Sequence, residues 1–175
     1  MWRTSLLRYL RYGFVAVIGA AAALLYERWP GNAAIAPSPV ASYRAVDGDS
    51  LRNDAGDTRI AGIDAVELRQ TCRNASGGVW HCGREAHQRL RALVSRGVDC
   101  RPEGRDRYGR TLSRCYDGER DIGETMVREG LAVDFMGGGY AAAEREARQA
   151  RRGIWAGEFD LPQDYRRRSR PRAAR

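Results

Sequence analysis

The segment at residues 46–67, VDGDSLRNDAGDTRIAGIDAVE, leaves the chain few choices of local structure. Asp47-Gly48 and residues 54–57 are turn signals, because Gly and Asp accept the positive φ that tight hairpin turns require. Ser50–Asn53 and residues 58–63 are of strand length. Paired across a four-residue connection, they bring Asp49 close to Asp64 and Glu67, with Arg59 among them. Hard divalent cations take carboxylate and carbonyl oxygens, and a further carboxylate beside them can act on a metal-organised water. A plain solvated hairpin fits the same residues. Asp-Gly pairs are common in surface turns, and in a chain with 30 Arg and no Lys a single Arg carries little weight. An EF-hand loop is excluded, since Leu51 stands where a third acidic ligand belongs.

The N-terminal segment is of another kind. Arg3, Arg8 and Arg11 precede an apolar run at residues 13–26, closed by Glu27 and Arg28. This is the layout of a secretory signal or a signal anchor. Tyr12, Tyr26 and Trp29 stand where interfacial aromatics belong, and the small-residue motif Ala34-Ile35-Ala36 lies well past the run. Residues 1–28 therefore read as an uncleaved anchor, with a removed signal peptide as the alternative and a buried core helix as the plain one. Residues 29–40, with three Pro, read as a linker. Either favoured reading puts the remainder outside the cytoplasm, with the membrane as a partner through the N-terminal segment.

Net charge alone suggests nucleic acid, but its distribution does not. Residues 1–28 carry +3 and residues 166–175 carry +6 of the net +8, which leaves the 137 residues between them at −1. Phosphate affinity must then come from placed arginines, with the tail at 161–175 as an electrostatic tether or a solubilising basic end. Four cysteines, an even number, agree with an oxidising compartment. Of the three pairings, Cys72 with Cys82 and Cys100 with Cys115 are favoured. The second pair sits on two strand-like runs joined by the turn at residues 104–110, and the first closes a glycine-containing loop. A zinc site of Cys72, His81, Cys82 and His87 lacks the close CxxC spacing of structural zinc.

Helical period begins after Gly83, with Ala86, Leu90, Leu93 and Val94 on one face and Gly97 as a stop. Two further helices are expected at residues 122–129 and 140–152, each ended by Gly, with Gly137-Gly138-Gly139 as a flexible link and Ile154-Trp155 packing back. Strands in two hairpins followed by helices make a small barrel with helices on one side.

Asp49, Arg59, Asp64 and Glu67, followed by DRYGR at residues 106–110 and GIW at residues 153–155, resemble the staphylococcal nuclease (thermonuclease) family over roughly residues 41–156. The resemblance implies a β-barrel with helices, a five-stranded OB-type barrel with about three helices spanning residues 41–160, here preceded by an N-terminal hydrophobic helix. It implies a calcium-dependent endonuclease acting on DNA or RNA; separately, the chain is expected to be a monomer. Asp49, Asp64 and the main-chain carbonyl of Ala65 would hold Ca2+, with Asp47 an acid nearby. Glu67 would serve as general base, and Arg59 and Arg110 would grip the phosphate. Arg107 and Tyr108 would contact the nucleotide, and Phe135 is the candidate beside the base. Ala65 and Val66 replace the family's usual Thr and Pro; loss of the Thr hydroxyl should matter little, and loss of the Pro is expected to loosen the loop that aims Glu67. A nuclease-like barrel serving only as a nucleic-acid or protein binding module is the alternative.

Overall fold

The computed structural model describes residues 40–169. The apolar N-terminal segment, the linker up to residue 39 and residues 170–175 lie outside them. Among the described residues no helix is long and apolar enough to cross a membrane.

Among the described residues ten short strands and four α-helices follow one another. The first three strands are β1 (Arg44–Ala45), β2 (Ser50–Asn53) and β3 (Gly56–Ile60). Next come β4 (Ile63–Ala65), the small hairpin of β5 (Cys72–Arg73) with β6 (Val79–Trp80), and helix α1 (Cys82–Leu93). Strands β7 (Asp99–Arg105), β8 (Thr111–Asp117) and β9 (Arg120–Asp121) lead into α2 (Ile122–Arg128), β10 (Ala132–Asp134) and α3 (Ala141–Gln149). A 3-10 turn at Gly153–Ala156 and helix α4 (Pro162–Ser169) complete the described residues.

The main sheet runs β1-β2-β3-β8-β7 and curls as an OB-type half-barrel, in agreement with the expected class. The hairpin β2–β3 pairs Ser50 with Arg59 and Asn53 with Gly56, so its turn is two residues, Asp54 and Ala55, rather than four. The second strand also ends sooner than expected. The chain turns at Ala61 and Gly62 and restarts as β4, which pairs with β10 instead of the main sheet. That break sets Asp64 apart from the hairpin and aims it back at Asp49.

Apolar side chains from both layers meet in one cluster. Leu51, Ile60 and Ile63 from the strands pack with Leu90, Ile122, Met126, Val127 and Ile154 from the helical side. Helix α1 buries Ala86, Leu90 and Leu93 on one face, with Val94 at its cap, the face expected from their spacing. Full burial of each such aliphatic side chain contributes about 1.5–3 kcal/mol. Helix α3 is shorter at both ends than expected.

The glycine run at 137–139 is not a free link. A Cβ on Gly138 would lie 2.2 Å from the Gly62 carbonyl oxygen, so the two backbones cross at a distance only glycine permits. Arg114 fixes the crossing, donating to the Gly138 carbonyl at 2.8 Å and to the Tyr140 hydroxyl at 2.8 Å.

Both expected disulfides are formed. Cys100 and Cys115 face each other across β7 and β8, while Cys72–Cys82 joins the small hairpin to the start of α1. This removes the zinc reading, because both sulfurs are already bonded. Loops of this length stabilise by roughly 2.5–3 kcal/mol each in the chain-entropy account. Reduction should lower the melting temperature in calorimetry, and peptide mapping without reductant should find no free thiol.

Candidate active site

The β2–β3 hairpin and β4 bring two carboxylates, Asp49 and Asp64, together beneath one cleft. Asp49, at the mouth of β2, is almost fully buried, and so is Asp64 in the middle of β4. Arg59 on β3 stands between them, with Nη1 donating to Asp49 Oδ1 at 2.8 Å and Nη2 to Asp64 Oδ1 at 2.8 Å. The convergence expected of Asp49, Arg59 and Asp64 is therefore present. Ala65 N–H donates to Asp49 Oδ2 at 3.0 Å, Ser50 Oγ donates to Oδ1, and Asp47 Oδ1 accepts from the Asp49 N–H at 3.0 Å. Asp47 thus shapes the turn from beside the carboxylates. Burial, against the attraction of Arg59 and with the help of Asp47 and Asp64, pushes Asp49 up to about 7.

Glu67 follows β4 on a short loop that is fixed rather than loose. Val66 is buried in the core, and Gln70, itself buried, accepts the Glu67 N–H on its side-chain oxygen at 3.1 Å. The Gln70 amide then donates to the Asp160 carbonyl at 2.7 Å, tying the loop to the C-terminal segment. Gly83 at the start of α1 lies against the same loop, so close that a Cβ there would be 1.8 Å from the Glu67 carbonyl oxygen. The loosening expected from Val66 is therefore offset by contacts that no local pattern reveals.

The opposite wall is the turn between β7 and β8. Asp106 organises it, its Oδ1 accepting from Tyr108 N–H at 2.8 Å and Arg110 N–H at 3.0 Å, and its Oδ2 from Arg110 Nε at 2.7 Å. Arg110 lines the cleft, and Tyr108 is 65% exposed, with the Arg107 guanidinium 4.9 Å from its ring centroid. Phe135, half-buried and fixed by a 2.9 Å bond from its N–H to the Gly62 carbonyl, closes the far rim beside the exposed Met136. The cleft encloses about 840 Å3 and brings every expected site residue except Asp64 to its wall. Asp64 lies beneath that wall, held by guanidinium groups that do line it.

One of those groups was not foreseen. Arg166, on helix α4, donates to Asp64 Oδ2 at 2.8 Å, to Asp64 Oδ1 at 3.0 Å and to Glu67 Oε1 at 2.7 Å. Hydrogen bonding to Asp64, with Glu67 adding to it, raises the Arg166 pKa above its ordinary value. Residues 161–175 read in the sequence as a basic tail, yet residues 162–169 are helical and enter the site. The signal for that helix was present. Pro162 opens it, Asp164 lies in its first turn and Arg166 to Arg168 lie in its last, the order that favours a helix.

Among the described residues no three His, Cys, Asp or Glu side chains converge into a metal cage. The donor set around Arg59 and Arg166 is nevertheless all hard oxygen, from Asp49, Asp64 and Glu67, and positive groups already occupy it. That chemistry fits a hard divalent cation and not a soft one.

The profile for staphylococcal nuclease homologues matches residues 57–157. Asp49 lies ahead of that match, just before β2. The succinoglycan biosynthesis protein ExoI of Rhizobium meliloti is 32% identical over 145 residues, covering 79% of this chain and 74% of that protein. A probable endonuclease lcl3 of Sclerotinia sclerotiorum is 28% identical over 145 residues, covering 70% of this chain and 52% of that protein. A probable endonuclease LCL3 of Schizophyllum commune is 32% identical over 141 residues, covering 67% and 47%. This chain spans about half the length of the two fungal proteins.

Proposed function

Because the chain belongs to the family of staphylococcal nuclease homologues, we propose that it is a calcium-dependent endonuclease that hydrolyses phosphodiester bonds of DNA or RNA outside the cytoplasm. The observation that carries this reading is the pairing of buried Asp49 and Asp64 through Arg59, with Glu67 and Arg110 on the wall of the cleft above them. Relatives named as endonucleases support the reaction class, and two disulfides support an oxidising compartment. The N-terminal apolar segment supports attachment to a membrane.

Asp49, Asp64 and the Ala65 carbonyl are the groups proposed to hold the cation, which when bound would neutralise charge on the phosphoryl oxygens and organise the attacking water. Glu67 would serve as the base that accepts a proton from the attacking water. Arg110 binds the phosphoryl oxygens with a planar fork that stays charged throughout, and Arg59 presents a second guanidinium between the carboxylates. Removing the leaving group's negative charge is the remaining demand, and Arg110 on the cleft wall is the group assigned to it. Tyr108, Arg107 and Phe135 frame the entrance as surfaces for the nucleotide.

Digestion of single-stranded DNA and of RNA by the full chain, with calcium and with a chelator, tests the reading. Cleavage that the chelator abolishes is the expected result. Cleavage indifferent to the chelator removes calcium from the account, and no cleavage by folded, disulfide-intact protein favours the binding module instead. Because burial pushes the Asp49 carboxyl up to about 7, bound calcium must displace a proton below that pH. Calcium affinity should therefore rise with pH between about 6 and about 8, a trend that calorimetric titration at several pH values checks.

A further inference from the structure

Helix α4 brings Arg166 onto oxygens that the calcium reading assigns to the cation or to the attacking water. A carboxylate offers about four lone-pair positions in all. Asp64 Oδ1 already accepts from Arg59 at 2.8 Å and from Arg166 at 3.0 Å, and Oδ2 accepts from Arg166 at 2.8 Å. Arg166 spans further to Glu67 Oε1 at 2.7 Å, so one guanidinium engages both the inner carboxylate and the proposed base. A divalent cation needs its oxygens at about 2.3–2.6 Å, and the two guanidiniums already take three of the four positions on Asp64.

Charge gives the same answer. Asp49, Asp64 and Glu67 face two guanidiniums, Arg59 and Arg166. A divalent cation entering among these oxygens while both arginines remain would be repelled by two fixed positive charges at a partly buried place, and the departure of one relieves that repulsion. Arg166 is the one that can leave. Its side chain is 37% exposed against 16% for Arg59, and it comes from a terminal helix rather than from the sheet.

The helix has its own seat. Pro162 is buried, Asp160 pairs with Arg168 and accepts from Gln70 through its carbonyl, and the first turn closes on the Leu161 carbonyl. The seat reaches the same Gln70 that holds the Glu67 loop.

We propose that Arg166 is an intramolecular competitor for the cation site, a latch that neutralises Asp64 and Glu67 in the metal-free protein and is displaced when a divalent cation binds. The proposal rests on the calcium reading of these carboxylates and adds to it a regulatory segment in the same chain.

Calorimetric titration of the full chain with calcium chloride tests it, comparing wild type, Arg166→Ala, Arg166→Gln and Arg167→Ala. Arg167 is on the same helix but pairs with Asp164 at the surface, so it controls for charge and for helix stability. Removing the competitor should tighten calcium binding about tenfold in both Arg166 variants, within the range typical of coupled sites, and leave Arg167→Ala like wild type. Melting in chelator gives a second readout independent of turnover. Both Arg166 variants should melt lower than Arg167→Ala without metal, and calcium should raise their melting temperature more than that of wild type. Equal calcium affinity in wild type and the Arg166 variants overturns the latch while leaving the calcium reading intact. No calcium binding by any of the four, each melting cooperatively, overturns both.

Discussion

Glu67→Gln should lose about 10²–10⁴-fold in turnover on a short single-stranded substrate while its melting curve stays close to wild type. The amide keeps the size and shape of the side chain but cannot take a proton from water. Glu67 is well placed for this loss to be purely chemical. Its backbone N–H is fixed by Gln70, and its carboxylate is partly exposed in the cleft, so the fold does not depend on its charge. Steady-state rates under calcium saturation, with circular dichroism on the same samples, make the comparison. A variant that cleaves at the wild-type rate would remove Glu67 from the role of base.

Gly83→Ala should harm catalysis from outside the cleft. The new methyl would lie 1.8 Å from the Glu67 carbonyl oxygen and 2.7 Å from its carbonyl carbon, so the helix start or the loop must move. Cys82 is bonded to Cys72, which restrains the helix start, and the displacement falls on the Glu67 loop. Overpacking of this kind costs about 1–3 kcal/mol, and a shift of about 1 Å in a catalytic group can cost about 10²-fold in rate. Activity should thus fall much further than stability. Thermal melting and turnover measured together distinguish this from simple unfolding, and retention of wild-type turnover would mean that the loop yields without moving Glu67.

The two effects have one structural origin. The proposed base is held by a loop whose supports come from α1, from Gln70 and from the segment before α4. The inner carboxylates, in contrast, are held by the hairpin and by β4. Changes in the helical layer should therefore move the base before they move Asp49 or Asp64.

Much of this was legible in the chain itself. Turn residues flanking short strands located the hairpin, because Gly and Asp act through local backbone geometry, and the period of Ala86, Leu90 and Leu93 gave the buried face of α1 for the same local reason. Both disulfide pairings followed from strand and loop lengths. The acidic residues and Arg59 could be named from the turn pattern together with the resemblance to the staphylococcal nuclease family, whereas the break after Ile60 that moves Asp64 onto β4 could not. Tertiary structure alone decided the rest. Gly62 breaks the second strand through its contact with Gly138, more than seventy residues away, and Gln70 acts through Glu67 and Asp160, which only the fold brings together. Arg166 looks in the sequence like one more arginine in a basic tail, since charge and composition carry no record of a partner a hundred residues distant. Its place on Asp64 is set by the packing of α4, which no short stretch encodes.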